Sequence, residues 1–334
     1  MSRYAGRDEI QRAVNLHATG MSSVAVARAM NKARGTVQGW LRAGGIAERS
    51  GITPKMETVI EEVPPAVIKV RVKAGSSNRP EGAVTKVLAI GDAHDSPEMP
   101  KDRFRWMGKL ACDRGVDWVV QIGDFASFDS LNSHIGNETL AGRLKNPYIH
   151  DTQSLNEALG NLNEGLTGHK PKKHVTLGNH ERRVWLYEEQ RPEVAGILTG
   201  ELVQTFTDNG WTQTPYGEYF FLGGVGWIHA AINRMCKTYG GKNAEATISN
   251  DAVFDHCIGH SHVRREHRAP KLGPSKHVTV LNLGCALPQG RVESYVLHGA
   301  LSGWWWGVHV VTLQNGQIAG VDAIPMSVLE SMYG

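Results

Sequence analysis

The chain has 334 residues, 41% hydrophobic and 21% charged, which is enough apolar material for a large core and suggests about two domains. It has no run of about 18 apolar residues, and Met1-Ser2-Arg3-Tyr4 leads into no apolar signal region; a membrane span and a secretory signal are not expected, and the expected compartment is the cytoplasm. The net charge of +3 hides an asymmetry: residues 1–47 hold seven Lys/Arg against two Asp/Glu, whereas residues from 84 onward hold 23 against 26. A basic surplus confined to a small N-terminal segment is one footprint of nucleic-acid binding.

In residues 7–18, Ile10, Ala13, Val14 and His17 recur at three-to-four spacing, which predicts a helix that Gly20 ends. Ser22 or Ser23 then caps a second helix running to about Met30. Asn31-Lys32-Ala33 makes a short turn, and a third helix spans about Arg34 to Arg42. Val24, Ala27, Val37, Trp40 and Leu41 are expected to form the small core. This helix, tight turn, helix order, with Thr36-Val37-x-x-Trp40-Leu41 as its clearest part, resembles the helix-turn-helix domains of transposases, resolvases and phage terminase small subunits. The resemblance implies a third helix in the major groove of DNA, with Lys32, Arg34, Thr36, Gln38 and Arg42 available to phosphates and base edges. A small helical protein-interaction module is the alternative.

Residues 48–83 read as a linker, because Pro54, Pro64-Pro65 and Gly75-Ser76-Ser77-Asn78-Arg79-Pro80 break any long element. A short edge strand fits only Val67 to Val72, where apolar and basic residues alternate. From Thr85 the texture changes to strand-turn-helix units, and a second, larger domain is placed at 84–334. Strands are expected at 86–91, 117–123, 173–178, 218–222, 225–229, 254–259, 277–283 and 307–314, with helices at 101–114, 152–165 and 181–190. Such a mixture predicts an α/β sandwich. Cys112, Cys236, Cys257 and Cys285 are widely spaced and form no Cys-x-x-Cys, so free buried thiols are expected.

Several of these strands end on a candidate metal ligand. Val87 to Ile90 leads into Gly91-Asp92-Ala93-His94, and Trp118 to Ile122 into Gly123-Asp124. His174 to Leu177 leads into Gly178-Asn179-His180-Glu181, Val225 to Ile228 into His229, and Phe254 to Ile258 into Gly259-His260-Ser261-His262. Any one piece occurs by chance; the ordered set, each after a strand, points to a metal site. The set resembles the calcineurin-like metallophosphoesterase superfamily over about residues 85–314. That resemblance implies a β-sandwich of mixed sheets flanked by helices. It also implies two divalent transition-metal ions, manganese first and iron, zinc or nickel as alternatives, which suit mixed carboxylate, imidazole and amide ligands. Asp92, His94 and His262 would hold the first ion and Asn179, His229 and His260 the second. Asp124 would bridge them beside a hydroxide nucleophile, and His180 would donate a proton to the leaving oxygen or orient it. Leu281-Asn282-Leu283-Gly284-Cys285 sits where many members carry an Asn-Pro-Gly-Ser turn, and serves as structural support.

Two departures bear on mechanism. Many relatives continue the second motif as Gly-Asp-x-x-Asp, with the last Asp orienting the catalytic His; here Ser127 stands at that position, so His180 is oriented by Asp129, by Asp95 or by neither. The Gly-Asn-His-Glu motif is shared with Ser/Thr protein phosphatases, but Asp95 and Ser127 to Asp129 do not match their Asp-x-His-Gly and Asp-Arg-Gly. Residues 126–172, with Arg143, Lys145, Tyr148 and Lys170, and residues 182–216, with Arg182, Arg183, Trp185 and Trp211, suit either nucleic-acid strands or a solvated cap. Trp304-Trp305-Trp306 is expected to pack rather than to stack on bases. The combined expectation is a phosphoesterase acting on nucleic acid, with a DNA-binding arm. A protein or small-molecule phosphatase is one rival, and a non-catalytic DNA-binding protein with a structural metal fold is the other.

Overall fold

A computed structural model of the chain describes residues 7–18, 21–43, 83–133, 138–273, 276–293, 296 and 303–334. The chain divides into two compact units, within residues 1–71 and 72–334. The expected linker, with its edge strand at Val67 to Val72, lies outside the described residues except at its last position.

In the first unit, helices α1 (Arg7–Ala18), α2 (Ser23–Ala29) and α3 (Arg34–Ala43) pack around Ala13, Val26, Ala27, Val37 and Leu41. Ser22 starts α2: its hydroxyl accepts the Ala25 N–H at 3.3 Å, satisfying a donor that the first helical turn leaves open. Asn31 turns the chain into α3 with a left-handed φ of 50°, which Asn tolerates better than most residues. Val24, expected in this core, is instead 45% exposed. The inward stripe of α2 runs through Val26 and Ala27, with Met30 just after the helix packed beside them, and Val24 falls off its edge.

The second unit is built on two sheets. Its strands are β1 (Thr85–Ile90), β2 (Trp118–Gln121), β3 (Lys172–Thr176), β4 (Trp211–Thr214), β5 (Phe220–Leu222), β6 (Val225–Trp227), β7 (His256–Ile258), β8 (Arg264–Pro270), β9 (His277–Leu283), β10 (Gly307–Gln314) and β11 (Gln317–Pro325). Its helices are α4 (Asp102–Arg114), α5 (Leu140–Arg143), α6 (Tyr148–Gly165), α7 (Arg182–Glu189), α8 (Ile197–Asp208), α9 (Ala244–Asp251) and α10 (Met326–Tyr333). The first sheet has the order β11-β10-β1-β2-β3-β4; β1 to β4 pair in parallel, and β10 pairs antiparallel with β1 and β11. The second has the order β5-β6-β7-β9-β8, with β6, β7 and β9 parallel and antiparallel strands at both edges.

Alternation along β1 decides which core each residue enters. Val87 and Ala89 face the second sheet, where they meet Trp227, Cys257, Leu281 and Leu283. Leu88 and Ile90 face the helices, where they join Phe104, Met107 and Leu110 of α4 and Leu155, Leu159 and Leu162 of α6. A strand covered on both faces reads as one continuous apolar run. Ile248 of α9 covers Ile258 and Val280 on the outer side of the second sheet. The sandwich expected from sequence is therefore present as mixed sheets between helical layers.

The differences lie at the margins. Strands β4, β8 and β11 and helices α5, α8, α9 and α10 go beyond the expected elements, and α6 starts four residues earlier than 152. Cys257 and Cys285 are buried free thiols, but Cys236 is exposed and Cys112 half-buried. Cys236 sits in a surface loop at a left-handed φ of 57°, not on a packed element. Among the described residues no helix is long and apolar enough to cross a membrane.

Candidate active site

The parallel strands deliver their following residues to one edge of the sandwich. Asp92 and His94 follow β1, Asp124 follows β2, and Asn179 and His180 follow β3 in the first sheet; His229 follows β6, and His260 and His262 follow β7 in the second. The structure brings all eight together. His94 Nε2 and His262 Nε2 are 2.9 Å apart, and His262 Nε2 is 3.2 Å from Asp92 Oδ2. His229 Nε2 lies 2.9 Å from Asn179 Oδ1, 3.2 Å from His260 Nδ1 and 3.3 Å from Asp124 Oδ2. Asp124 Oδ2 is also 3.8 Å from His94 Nε2 and 3.9 Å from His180 Nε2, so this carboxylate stands between the two groups.

These residues fit cations. Both Asp92 oxygens are buried without a hydrogen-bond partner, a costly state for a carboxylate that a positive charge would relieve. The Nδ1 of His229 donates to the Ile122 carbonyl at 3.1 Å, which turns Nε2 toward Asn179, His260 and Asp124 as the atom that would bind a cation. Asp92, His94 and His262 form one set able to hold a metal ion, and Asp124, His229 and His260 another.

Local backbone features hold the set in place. Five of the eight non-glycine residues with left-handed φ among those described are His94, Asp124, Phe128, His260 and His262, so the conformational strain is concentrated here. Gly178 and Gly259 are needed for close approach: a Cβ on Gly178 would strike Asp124 Oδ1, and one on Gly259 would strike Asp92 Oδ1. The Glu181 carboxylate accepts the backbone N–H groups of Asp124 (2.9 Å), Phe125 (2.8 Å), Ala126 (3.2 Å) and Gly178 (2.7 Å), tying the second motif to the third. Glu181 closes the Gly-Asn-His-Glu motif, yet nothing in the sequence alone assigns it this role.

The calcineurin-like phosphoesterase family model matches residues 85–264, more than half of the chain and the whole span from β1 to His262. The chain belongs to the calcineurin-like phosphoesterase family. Phosphoesterases of this family use divalent metals, and the chain is a metal-dependent phosphoesterase. Similar solved structures include a phosphoesterase from E. coli, Yfce, at 17% identity and a TM-score of 0.30, covering 72% of this chain and 100% of that one. A conserved uncharacterized protein of Streptococcus pneumoniae TIGR4, a predicted phosphoesterase, is similar at 12% identity and a TM-score of 0.32, covering 73% and 91%. Vps29 of Entamoeba histolytica, complexed with zinc, is similar at 14% identity and a TM-score of 0.29, covering 72% and 99%. No curated protein matches in sequence.

The charges of this phosphoesterase site are mutually adjusted. Burial works against charge on Asp124, but His229, His180 and His94 outweigh it and hold the carboxyl well below its usual range. Burial likewise opposes charge on His229, but Asp124 and Asp92 push the ring up to about 9. Burial, with His180 and His262 beside it, holds His94 well below the usual histidine range. Burial first, and then the neighbouring Asp124 charge, pushes Glu181 up to about 7.

Neither Asp129 nor Asp95 orients His180 directly. His180 Nδ1 donates to the Ser127 carbonyl at 2.8 Å, so the backbone at the departed position does the orienting. Asp129 acts one step removed: its carboxylate accepts from Arg183 Nη1 at 3.0 Å, and Arg183 Nη2 reaches His180 Nε2 at 3.3 Å. Asp95 is buried in a different network, accepting from Lys101 (2.9 Å), Arg103 (3.1 Å) and the Ser154 hydroxyl (2.6 Å), where it anchors α4 and α6 under the first loop.

Glu293 joins the site without any motif to mark it. It is buried, its Oε1 has no hydrogen-bond partner and lies 4.0 Å from His94 Nδ1, and burial pushes its carboxyl up to about 7. Trp211, a candidate for stacking on bases, is instead buried in β4 against Phe125. Trp304 packs edge-on against the His262 ring at 4.2 Å. In the first unit Arg34 and Thr36 are exposed and Gln38 is half-buried, whereas Lys32 pairs with Glu9 at 3.0 Å and lies over Trp40. The Arg42 side chain lies outside what is described.

Proposed function

We propose that this phosphoesterase hydrolyses phosphodiester bonds in nucleic acid with two divalent transition-metal ions, manganese first, and that residues 1–47 bind DNA. The observation that carries the reading is the convergence of two donor groups that share Asp124: Asp92, His94 and His262 on one side, Asn179, His229 and His260 on the other. Cations bound there supply charge neutralisation for phosphoryl oxygens and an activated water near neutral pH. The chain's own residues do the rest. The Ser127 carbonyl takes the Nδ1–H of His180, so Nε2 is the atom left to exchange a proton at the leaving oxygen. Arg183, 3.3 Å from that atom, offers guanidinium donors to a phosphoryl oxygen.

The nucleic-acid substrate is supported by the basic surplus of residues 1–47 and by the exposed Arg34 and Thr36 of α3. A DNA-binding arm joined to a catalytic unit raises the local concentration of the bonds to be cut. With Mn²⁺ the protein should turn over bis-p-nitrophenyl phosphate faster than p-nitrophenyl phosphate. The Asp124→Asn variant should lose about a thousandfold in kcat, equivalent to roughly 4 kcal/mol of barrier. Undiminished turnover in a folded Asp124→Asn protein overturns the assignment. Deleting residues 1–47 should leave diester turnover in place and abolish retention on DNA at moderate salt; retention that survives the deletion sinks the arm.

A further inference from the structure

A cleft of about 310 Å³ opens between the short turn Asp129–Leu131, with Asn132 and Ser133 after it, and α7, and it meets the candidate site at Arg183. Lys145, Arg183 and Arg191 line it together with Tyr187, Asn132 and Gln190, and among the described residues no carboxylate lines it. Each cation is held at the wall. Lys145 donates to the Asn132 carbonyl at 2.6 Å. The Arg191 guanidinium lies over the Tyr187 ring at 4.0 Å, an arrangement that leaves its in-plane N–H donors to an anion. Arg183 belongs to both places: it lines the cleft and reaches His180 Nε2 at 3.3 Å. The half-exposed Asp129, bound to Arg183, is the carboxylate that offsets part of this charge. A concave wall carrying three cations, one of which, Arg183, also contacts His180, suits a dianionic or diester phosphate.

We infer that this cleft is a subsite for a second phosphate of the substrate, on the leaving-group side of the scissile ester. The inference rests on the nucleic-acid reading above, in which phosphates recur along one strand. It places the neighbouring phosphate against Arg191 and Lys145 while the scissile one sits at the centre, and it gives the strand a direction across the site. The side follows from His180, which adjoins the cleft through Arg183 and would serve the leaving oxygen.

The test uses the full-length, Mn²⁺-loaded protein and a thymidine dinucleotide in three forms: unmodified, with a 5′-terminal phosphate, and with a 3′-terminal phosphate. Cleavage of the internal bond is followed by mass. Wild-type protein should favour, by about tenfold in kcat/KM over the unmodified dinucleotide, the form whose terminal phosphate lies on the fragment released without the scissile phosphate; a preference for the other form overturns the placement, and Arg191→Gln combined with Lys145→Gln should erase the preference. The double variant should also flatten the dependence of log(kcat/KM) on log salt, by about 0.7 for each phosphate charge it no longer neutralises. Arg191→Glu, at the same wall, should invert the preference. No preference in the wild type, or a preference that survives in both variants, overturns the subsite. If bis-p-nitrophenyl phosphate is hydrolysed but no dinucleotide is cut in any form, the nucleic-acid reading fails and takes the subsite with it.

Discussion

Glu293 and His94 each bury an atom without a hydrogen-bond partner, and the two atoms face one another across 4.0 Å. An imidazole that binds metal through one nitrogen is steadied by what its other nitrogen meets. Here Nε2 points to His262, and Nδ1 to the carboxylate. Glu293→Gln should therefore weaken metal loading by about tenfold, read by competition with a chromophoric chelator. An unchanged affinity would show that the carboxylate is no partner to His94. The contrast with the other site residues shows what a sequence reveals. Asp92, His94, Asp124, Asn179, His229, His260 and His262 are legible because each follows a short apolar strand, most of them through a glycine. Glu293 follows Pro288-Gln289-Gly290 in a stretch with no period and no motif, so nothing marks it. Asp95 misleads for a related reason: its position beside His94 suggests a role there, but its side chain turns to Lys101, Arg103 and Ser154.

The elements show the same division. Strands buried on both faces, such as β1 and β2, announce themselves as apolar runs. β8 reads Arg-Arg-Glu-His-Arg-Ala-Pro at the edge of its sheet, where charged side chains are the rule, and its pattern hides a strand. α8 begins after Gly196 with no side-chain cap, so it lacks a start signal. Helix α6 extends to Tyr148 because Asp151, in its first turn, accepts both the hydroxyl (2.6 Å) and the N–H (3.2 Å) of Ser130 and ties the helix to the preceding turn. Burial pushes the Asp151 carboxyl up to about 6, from an ordinary 3.8. The folded chain thus keeps a proton that the unfolded chain releases near pH 4. The stability this contributes is complete below pH 4 and falls as pH rises through 6, by on the order of 3 kcal/mol. Asp151→Asn lacks that titration. Urea unfolding should show the variant gaining on the wild type by about this amount between pH 4 and pH 7; a difference that is flat with pH refutes the assignment.

At the scale of the molecule, the family is legible from five short motifs spread over some 170 residues, because their order and their places after strands exceed chance together. The three N-terminal helices are legible from caps, turn and periodicity, although those signals put Val24 on the wrong face. One property belongs to the catalytic unit as a whole. Asp92, His94, Asp124 and Asn179 leave the first sheet, while His229, His260 and His262 leave the second. A cation held by both sets would be a rivet between two halves of the sandwich whose facing surfaces are otherwise apolar. Free metal at a hundred times its dissociation constant would add about 2.7 kcal/mol to the unfolding free energy. Differential scanning calorimetry should therefore find the melting temperature lowered by roughly 5–10 °C when a chelator is added, falling with the logarithm of the free-metal concentration until that reaches the dissociation constant. A melting temperature indifferent to chelator would mean that the sheets are held without it. If the drop is seen, metal supply to this protein governs how long it survives as well as how fast it works.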